Sequence, residues 1–211
     1  TDDIHLEALY KIYRQIDSFC FLPFNSDNLL ECMDKRFQYA SCEKLNIPCP
    51  KTLILEVPED SEHLFAMNLP IIVKPNRRED SNSELFRNLR LSSRKEIEDN
   101  FQKILGFLDR GISFLASEII PGDGSNIYAY VGYRSKKGTI LNEWTGKKLS
   151  QFPNDFGVFA SASNQAPEIV REQGRALLDG LNLMGIAEPE FKYDCRDGKY
   201  KLMEINLRSM M

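Results

Sequence analysis

The sequence has little that would support covalent or redox catalysis. Its two histidines, His5 and His63, fall in peripheral-looking helical segments and suggest no catalytic dyad with a serine or cysteine. Five cysteines (Cys20, Cys32, Cys42, Cys49 and Cys195) form no CxxC pair, and an odd count without a leader favours reduced, packed thiols over a disulfide framework. No apolar run approaches the roughly 18 residues of a transmembrane helix. The acidic start Thr1-Asp2-Asp3 lacks the charged-then-apolar plan of a signal peptide, so the expected address is the cytoplasm, with no membrane partner. Basic residues show no excess, 27 against 31 acidic for a net charge of −4, and no basic stripe is interleaved with aromatics, which argues against nucleic acid. There is no internal repeat and no low-complexity tract.

What is present suits an ordinary globular chain. With 42% hydrophobic residues over 211 positions, it can bury one substantial core or two modest lobes without structural metals or disulfides. Helical spacing over residues 3 to 18 puts Ile4, Leu6, Leu9, Ile12, Tyr13 and Ile16 on one stripe. Residues 19 to 24 read as a short strand, and Asp34 opens a helix that runs to Leu45 and is ended by Ile47-Pro48-Cys49-Pro50. From Thr52 to Ile119 the pattern alternates: strand 52–55, helix 61–67, strand 71–74, helix 94–108 and strand 114–119. Residues 126 to 149 are β-rich, a helix follows from Ala166 to Leu183, and the chain closes on a hairpin. The expected class is α+β in two lobes.

The terminal hairpin is the most informative segment. A three-residue loop, Arg196-Asp197-Gly198, with Gly198 at positive φ, pairs Cys195 with Lys199 and sets Glu190 opposite Glu204 and Phe191 opposite Met203. That register sends Phe191, Met203, Ile205 and Leu207 to one face, and Glu188, Glu190, Glu204, Asn206 and Arg208 to the other. A two-residue loop separates apolar from polar less well. Like charges directly opposite destabilise a sheet, so the pair asks for a compensating cation. Carboxylates with an amide oxygen, and no Cys or His beside them, suit Mg²⁺ or Mn²⁺ rather than zinc. The plainer alternative is a solvated polar face.

The same residues carry a family resemblance. Glu190-Phe191-Lys192 followed by Met203-Glu204-Ile205-Asn206-Leu207-Arg208 resembles the paired metal-binding strands of the ATP-grasp superfamily. Upstream, Pro70-Ile71-Ile72-Val73-Lys74-Pro75 resembles the strand that ends in the phosphate-binding lysine, and Ala116-Ser117-Glu118-Ile119-Ile120-Pro121-Gly122 the hinge strand that grips adenine. Asp34-Lys35, with Ala40, Glu43-Lys44-Leu45-Asn46-Ile47-Pro48 and Pro50-Lys51-Thr52, resembles the segment leading into that fold. Four blocks in the right order are more specific than any one of them. The subgroup resembled is the carboxylate–amine ligase-like branch, near D-aspartate ligases and the ATP-binding halves of carbamoyl-phosphate synthase.

The resemblance implies an ATP-grasp fold with the nucleotide held between two α+β lobes: residues 34–117 as the small lobe, 118–211 as the large lobe, and 1–33 as the remnant of a preceding domain. It also implies missing flanking domains. ATP and Mg²⁺ (or Mn²⁺) would be the cofactors. Metal would be held by Glu190, Glu204 and Asn206, and nucleotide by Lys35, Lys74, Glu118, Ile119, Ile120 and Asn126, the last standing where an acid for the ribose is expected. Arg208 and Lys148 would act at the reacting groups; strand alternation lets only one of Lys147 and Lys148 do so. The loop 76–83 departs from the family pattern, having no glycine to let backbone N–H groups approach phosphate, with Arg77 or Arg78 as substitutes. The implied activity joins a small carboxylate to an amine through an acyl-phosphate. The alternatives are carbamoyl-phosphate synthase-like use of bicarbonate and a non-catalytic ATP-binding module.

Overall fold

The computed structural model describes residues 3–22, 24, 27–76, 85–152 and 158–208. In chain order the helices are α1 (Asp3–Lys11), α2 (Tyr13–Ile16), α3 (Leu29–Met33), α4 (Lys35–Lys44), α5 (Arg94–Leu108) and α6 (Glu168–Gly180). The strands are β1 (Thr52–Leu55), β2 (Ile71–Pro75), β3 (Leu89–Leu91), β4 (Phe114–Glu118), β5 (Ile127–Arg134), β6 (Ile140–Phe152), β7 (Val158–Ser163), β8 (Gly185–Asp194) and β9 (Lys199–Asn206). They form two compact units. One is Pro50–Ile120; the other combines Thr1–Cys49 with Pro121–Met211. Helix α4, grouped with the small lobe on sequence grounds, therefore lies in the larger unit. No helix among the described residues is long and apolar enough to cross a membrane.

In the smaller unit four antiparallel strands run in the order β1-β4-β2-β3. Helix α5 begins where Ser93 accepts the N–H of Glu96 and the Glu96 carboxylate accepts the N–H of Ser92, so two otherwise unpaired donors are satisfied reciprocally. Its buried residues Ile97, Ile104, Phe107 and Leu108 recur at helical spacing. They pack with Ile71, Val73 and Phe114 of the sheet. The helix expected at 61–67 is instead a 3₁₀ segment, Pro58–Ala66, because the Asp60 carboxylate accepts the N–H groups of Glu56 and Val57 and tightens its start. Strand β3, at three residues, is too short to show a period in the sequence.

In the larger unit five antiparallel strands run β7-β6-β5-β8-β9. Helix α6 packs Val170, Leu177 and Leu178 into the core that also holds Tyr130, Phe191 and Leu202. Helix α4, capped by the Asp34 carboxylate on the Arg36 N–H, carries Gln38 to the open edge of β9. The Gln38 amide donates to the Ile205 carbonyl at 3.2 Å and accepts the Ile205 N–H at 3.1 Å, closing part of an edge that would otherwise be unpaired. The N-terminal stripe is only partly realised. The helix is interrupted at Ile12 (φ −107°, ψ 10°), between α1 and α2; Leu6 is buried, while Ile4 is 62% exposed and Ile12 41%. Residues 19–22 form no strand: Phe19 and Phe21 are exposed and Leu22 is buried.

Candidate functional site

The hairpin of β8 and β9 delivers the expected acidic pair by a different route. Asp194, not Cys195, pairs with Lys199, so the loop has four residues, and Phe191 faces Leu202 rather than Met203. The pairing then slips by one residue, Met203 being the extra residue of a bulge, and Glu190 meets Glu204 and Glu188 meets Asn206. Two single-residue differences cancel. The wider turn closes on Asp194, whose carbonyl accepts the Gly198 N–H at 2.8 Å and whose carboxylate accepts the Arg196 N–H at 3.0 Å; Gly198 has φ +70°, as expected. At the bulge the Tyr39 hydroxyl donates to the Met203 carbonyl and the Leu202 N–H donates to Pro48. Leu202 is fully buried beside Phe191; Met203, expected in the core, is only half-buried.

Asp194 also has an energetic role. Its fully buried carboxylate accepts from the Arg196 guanidinium and from Lys201 Nζ at 2.6 Å, and the hydrogen bonds from Arg196 first, then those from Lys201, hold its carboxyl well below the usual carboxylate range. A depressed acid stabilises the fold above its unfolded value, near 4, and that contribution disappears as pH falls through the folded value. Asp194→Asn is therefore expected to cost about 2 kcal/mol at pH 7, with the gap from wild type narrowing below about pH 4 in urea unfolding. A gap independent of pH would contradict the charge assignment.

Strand alternation places Glu188 and Glu190 on one face, and neighbouring elements bring cations to it. The Lys35 ammonium, at the start of α4, is 3.3 Å from Glu204 Oε2 with both side chains half-buried. Lys148 on β6 is only 3% exposed; its ammonium lies 3.3 Å from Gln151 Oε1 and 4.3 Å from the centre of the Phe159 ring. Burial lowers the Lys148 pKa, against the opposing pull of Glu190, Glu204 and Glu188. Lys147 points elsewhere, with its ammonium 5.8 Å from the Tyr128 ring, so alternation selects Lys148 of the two. Arg208 donates to Asp3 at 3.2 Å. Asn206 donates its amide N–H to Glu190 Oε1 at 3.2 Å.

The carboxylates are held away from their ordinary state. Burial, then the charge of Glu204, pushes Glu190 up to about 7, while Lys148, the Asn206 amide and Arg208 pull the other way. Burial, then the charge of Glu190, pushes Glu188 up to about 8, offset chiefly by Arg208. Glu188 is 3% exposed and its Oε2 has no hydrogen-bond partner. In the sequence Glu188 falls on the polar face without an assigned role. The available signal was its spacing of two from Glu190 and its place opposite Asn206.

This donor set fits a hard divalent cation in one specific way. Glu190, Glu204 and Asn206 offer oxygen only, and two facing carboxylates are short of positive charge. Among the described residues no three carboxylate, imidazole or thiol groups come together to hold an ion by themselves. An ion here would complete its shell from water and phosphate, as Mg²⁺ ordinarily does.

The remaining candidates are distributed over both units. Lys74 lies on β2 opposite Leu115, and Glu118 ends β4, where it accepts from the Asn68 amide at 3.1 Å. The N–H of Ile119 donates to the Pro70 carbonyl and is already used; Ile120 is buried. Asn126, in the larger unit, ends a 3₁₀ turn (Gly124–Asn126), and its amide nitrogen lies only 2.3 Å from where a Cβ on Gly122 would sit. Gly122 has φ +90°, so its backbone conformation favours glycine, and an added Cβ would displace the Asn126 amide. Arg77 and Arg78 lie outside the described residues; Asn76, at the start of that loop, is buried with its Oδ1 unpartnered.

Known proteins share this arrangement of strands and helices, although no protein-family model matches the chain. A curated D-aspartate ligase from Enterococcus faecium (strain Aus0004) is 27% identical across 98% of this chain and 51% of its own length, so the chain spans about half of that relative. Among solved structures, N5-carboxyaminoimidazole ribonucleotide synthetase from Thermus thermophilus matches with a TM-score of 0.71 at 16% identity, covering 95% of this chain and 52% of that one. D-alanyl-alanine synthetase A from Vibrio cholerae O1 biovar eltor matches with a TM-score of 0.69 at 14% identity, covering 94% and 63%. The ATP-grasp ligase PsnB, complexed with minimal precursor, matches at 0.64 and 18% identity, covering 95% and 60%. At these identities the structural likeness is one of fold.

Proposed function

Because this chain has the ATP-grasp fold, we propose that it is the ATP-binding part of a ligase that activates a small carboxylate as an acyl-phosphate for attack by an amine. The observation that carries this reading is Glu190 directly opposite Glu204, with Asn206 bonded to Glu190. A purely structural hairpin has no use for an opposed acidic pair. A bound Mg²⁺ would neutralise triphosphate charge and orient it for in-line transfer.

The chain's own residues then have electrostatic tasks. Glu190, Glu204 and Asn206 hold the ion; Lys74 and Lys35 act as point charges for phosphate oxygens. Glu118, Ile119, Ile120 and Asn126 line the base and ribose. The carboxylate oxygen attacks the γ-phosphorus and ADP leaves; the amine nitrogen then attacks the acyl carbon, phosphate leaves and the nitrogen loses a proton. Lys148 and Arg208 stabilise negative charge developing on the transferred phosphoryl and acyl oxygens. Lys148 is fixed by Gln151 and Phe159, so little reorganisation accompanies that step.

D-aspartate is the first acid to try, since the curated relative is a D-aspartate ligase. The test is ADP release by the full-length protein with Mg-ATP, each D- and L-amino acid as carboxylate, bicarbonate as a further acid, and ammonium or an amino acid as amine. Release that requires both an acid and an amine is expected. Binding of Mg-ATP without release under any pairing would instead favour a non-catalytic module, an option that the glycine-free loop 76–83 keeps in play.

A further inference from the structure

We propose that Glu188 receives the attacking amine, its buried carboxylate oxygen accepting an N–H of the nucleophile and so anchoring it within reach of the acyl carbon. This rests on the ligase reading above. Glu188 is 3% exposed, shares a face with Glu190 and pairs with Asn206, so it faces the same cluster that would hold the ion. Its Oε2 has no donor, which is costly for a buried carboxylate and calls for a ligand that brings one.

The nearby protein donors have other engagements. Lys148 lies on Gln151 and Phe159, Arg208 on Asp3, the Asn206 amide on Glu190, and Lys35 on Glu204. Among the described residues no three carboxylate, imidazole or thiol groups converge, so Glu188 does not form a three-group ion site with Glu190 and Glu204. A carboxylate only accepts hydrogen bonds, and a protonated carboxyl still keeps an accepting oxygen, so in either state an N–H donor can complete this group. In a site that forms an amide, the group that carries N–H and must approach the acyl carbon is the amine. Polarity agrees: Lys148 and Arg208 suit the anionic acyl-phosphate, and the acceptor beside them suits the group of opposite character. A buried acceptor of this kind also disfavours a nucleophile whose nitrogen has no N–H left to donate, such as a tertiary amine, because that would leave it unpaired.

The test uses the full-length protein with Mg-ATP and D-aspartate, or the acid giving most ADP in the screen above, and two kinds of nucleophile. One is hydroxylamine, whose intrinsic reactivity traps acyl-phosphate without needing an anchor. The other is a pool of ammonium and the twenty L-amino acids, with amide followed by mass spectrometry. In Glu188→Met, hydroxamate formation should stay within about threefold of wild type while amide formation falls by about tenfold or more, through KM for the amine. The same variant should melt at or above wild type, since it removes an unpaired buried carboxylate. Glu188→Gln, which keeps an acceptor oxygen, should recover part of the amide yield. A parallel fall of hydroxamate and amide, or no fall in either, overturns the assignment. Absence of ADP release and hydroxamate in wild type with every acid would remove the ligase reading, and this inference with it.

Discussion

Glu204→Gln is expected to lower Mg²⁺-dependent ATP turnover by about 100-fold or more while leaving the fold at least as stable as wild type. The two effects have different origins. Turnover falls because the substitution removes one of the two opposed carboxylates and leaves Glu190 facing a neutral amide. Stability does not fall in step, because the like-charge contact across the strands is relieved. What is lost in exchange is the Lys35 ion pair, and a half-exposed pair of that kind contributes only about 0 to 1 kcal/mol. Calorimetric titration of Mg-ATP, with thermal melts with and without Mg²⁺, separates the two. Wild type should bind tightly and gain stability from Mg-ATP; the variant should do neither. Unaltered binding would mean that these carboxylates hold no ion, and a large loss of stability without nucleotide would mean that the pair serves the fold.

The parts of this molecule that were legible in its sequence are those specified by neighbours along the chain. Helix α5 could be bounded at Arg94 and Leu108 because Ser93, Glu96 and the spacing of Ile97, Ile104 and Phe107 all lie within one helix. Glu190 opposite Glu204 was readable because hairpin partners are close in sequence. Its turn was misread because Asp194 closes a wider loop through its own carboxylate, and the bulge at Met203 then restores the pairing. What was not legible depends on distant partners. Lys35 meets Glu204 across 169 positions and Gln38 meets Ile205 across 167, and no local pattern announces either. The isolation of Glu188 Oε2 belongs to the same class, since a missing partner is visible only once every neighbour is placed.

Gly174→Ala tests the support beneath the site, and its expected sign is opposite to that of helix propensity. In a helix interior, alanine ordinarily stabilises relative to glycine by about 1 kcal/mol. Gly174 lies within α6, but a Cβ there would come 2.2 Å from Cγ of Tyr130 and 2.6 Å from its Cβ. Those atoms are next to the backbone of β5, so no rotation at the far end of the side chain relieves the clash. Tyr130 is fully buried, and its hydroxyl donates to Glu143, which also accepts from Arg175 at 2.8 Å. Gly132, two residues along β5, faces the same ring and Leu178, so the strand has no slack on that side either. Helix and strand must separate, and overpacking of this kind should cost about 3 kcal/mol net, a fall of about 6 to 10 °C in melting temperature. Gly106 in α5 is the control: nothing lies within 4 Å of its added Cβ, so Gly106→Ala should gain up to about 1 kcal/mol. Because β5 pairs with β8 at Ala129 and Glu190, displacement of β5 should also weaken Mg-ATP binding in Gly174→Ala and leave it unchanged in Gly106→Ala. Equal melting shifts in the two variants would show that α6 rests on β5 less tightly than the contact at Tyr130 requires.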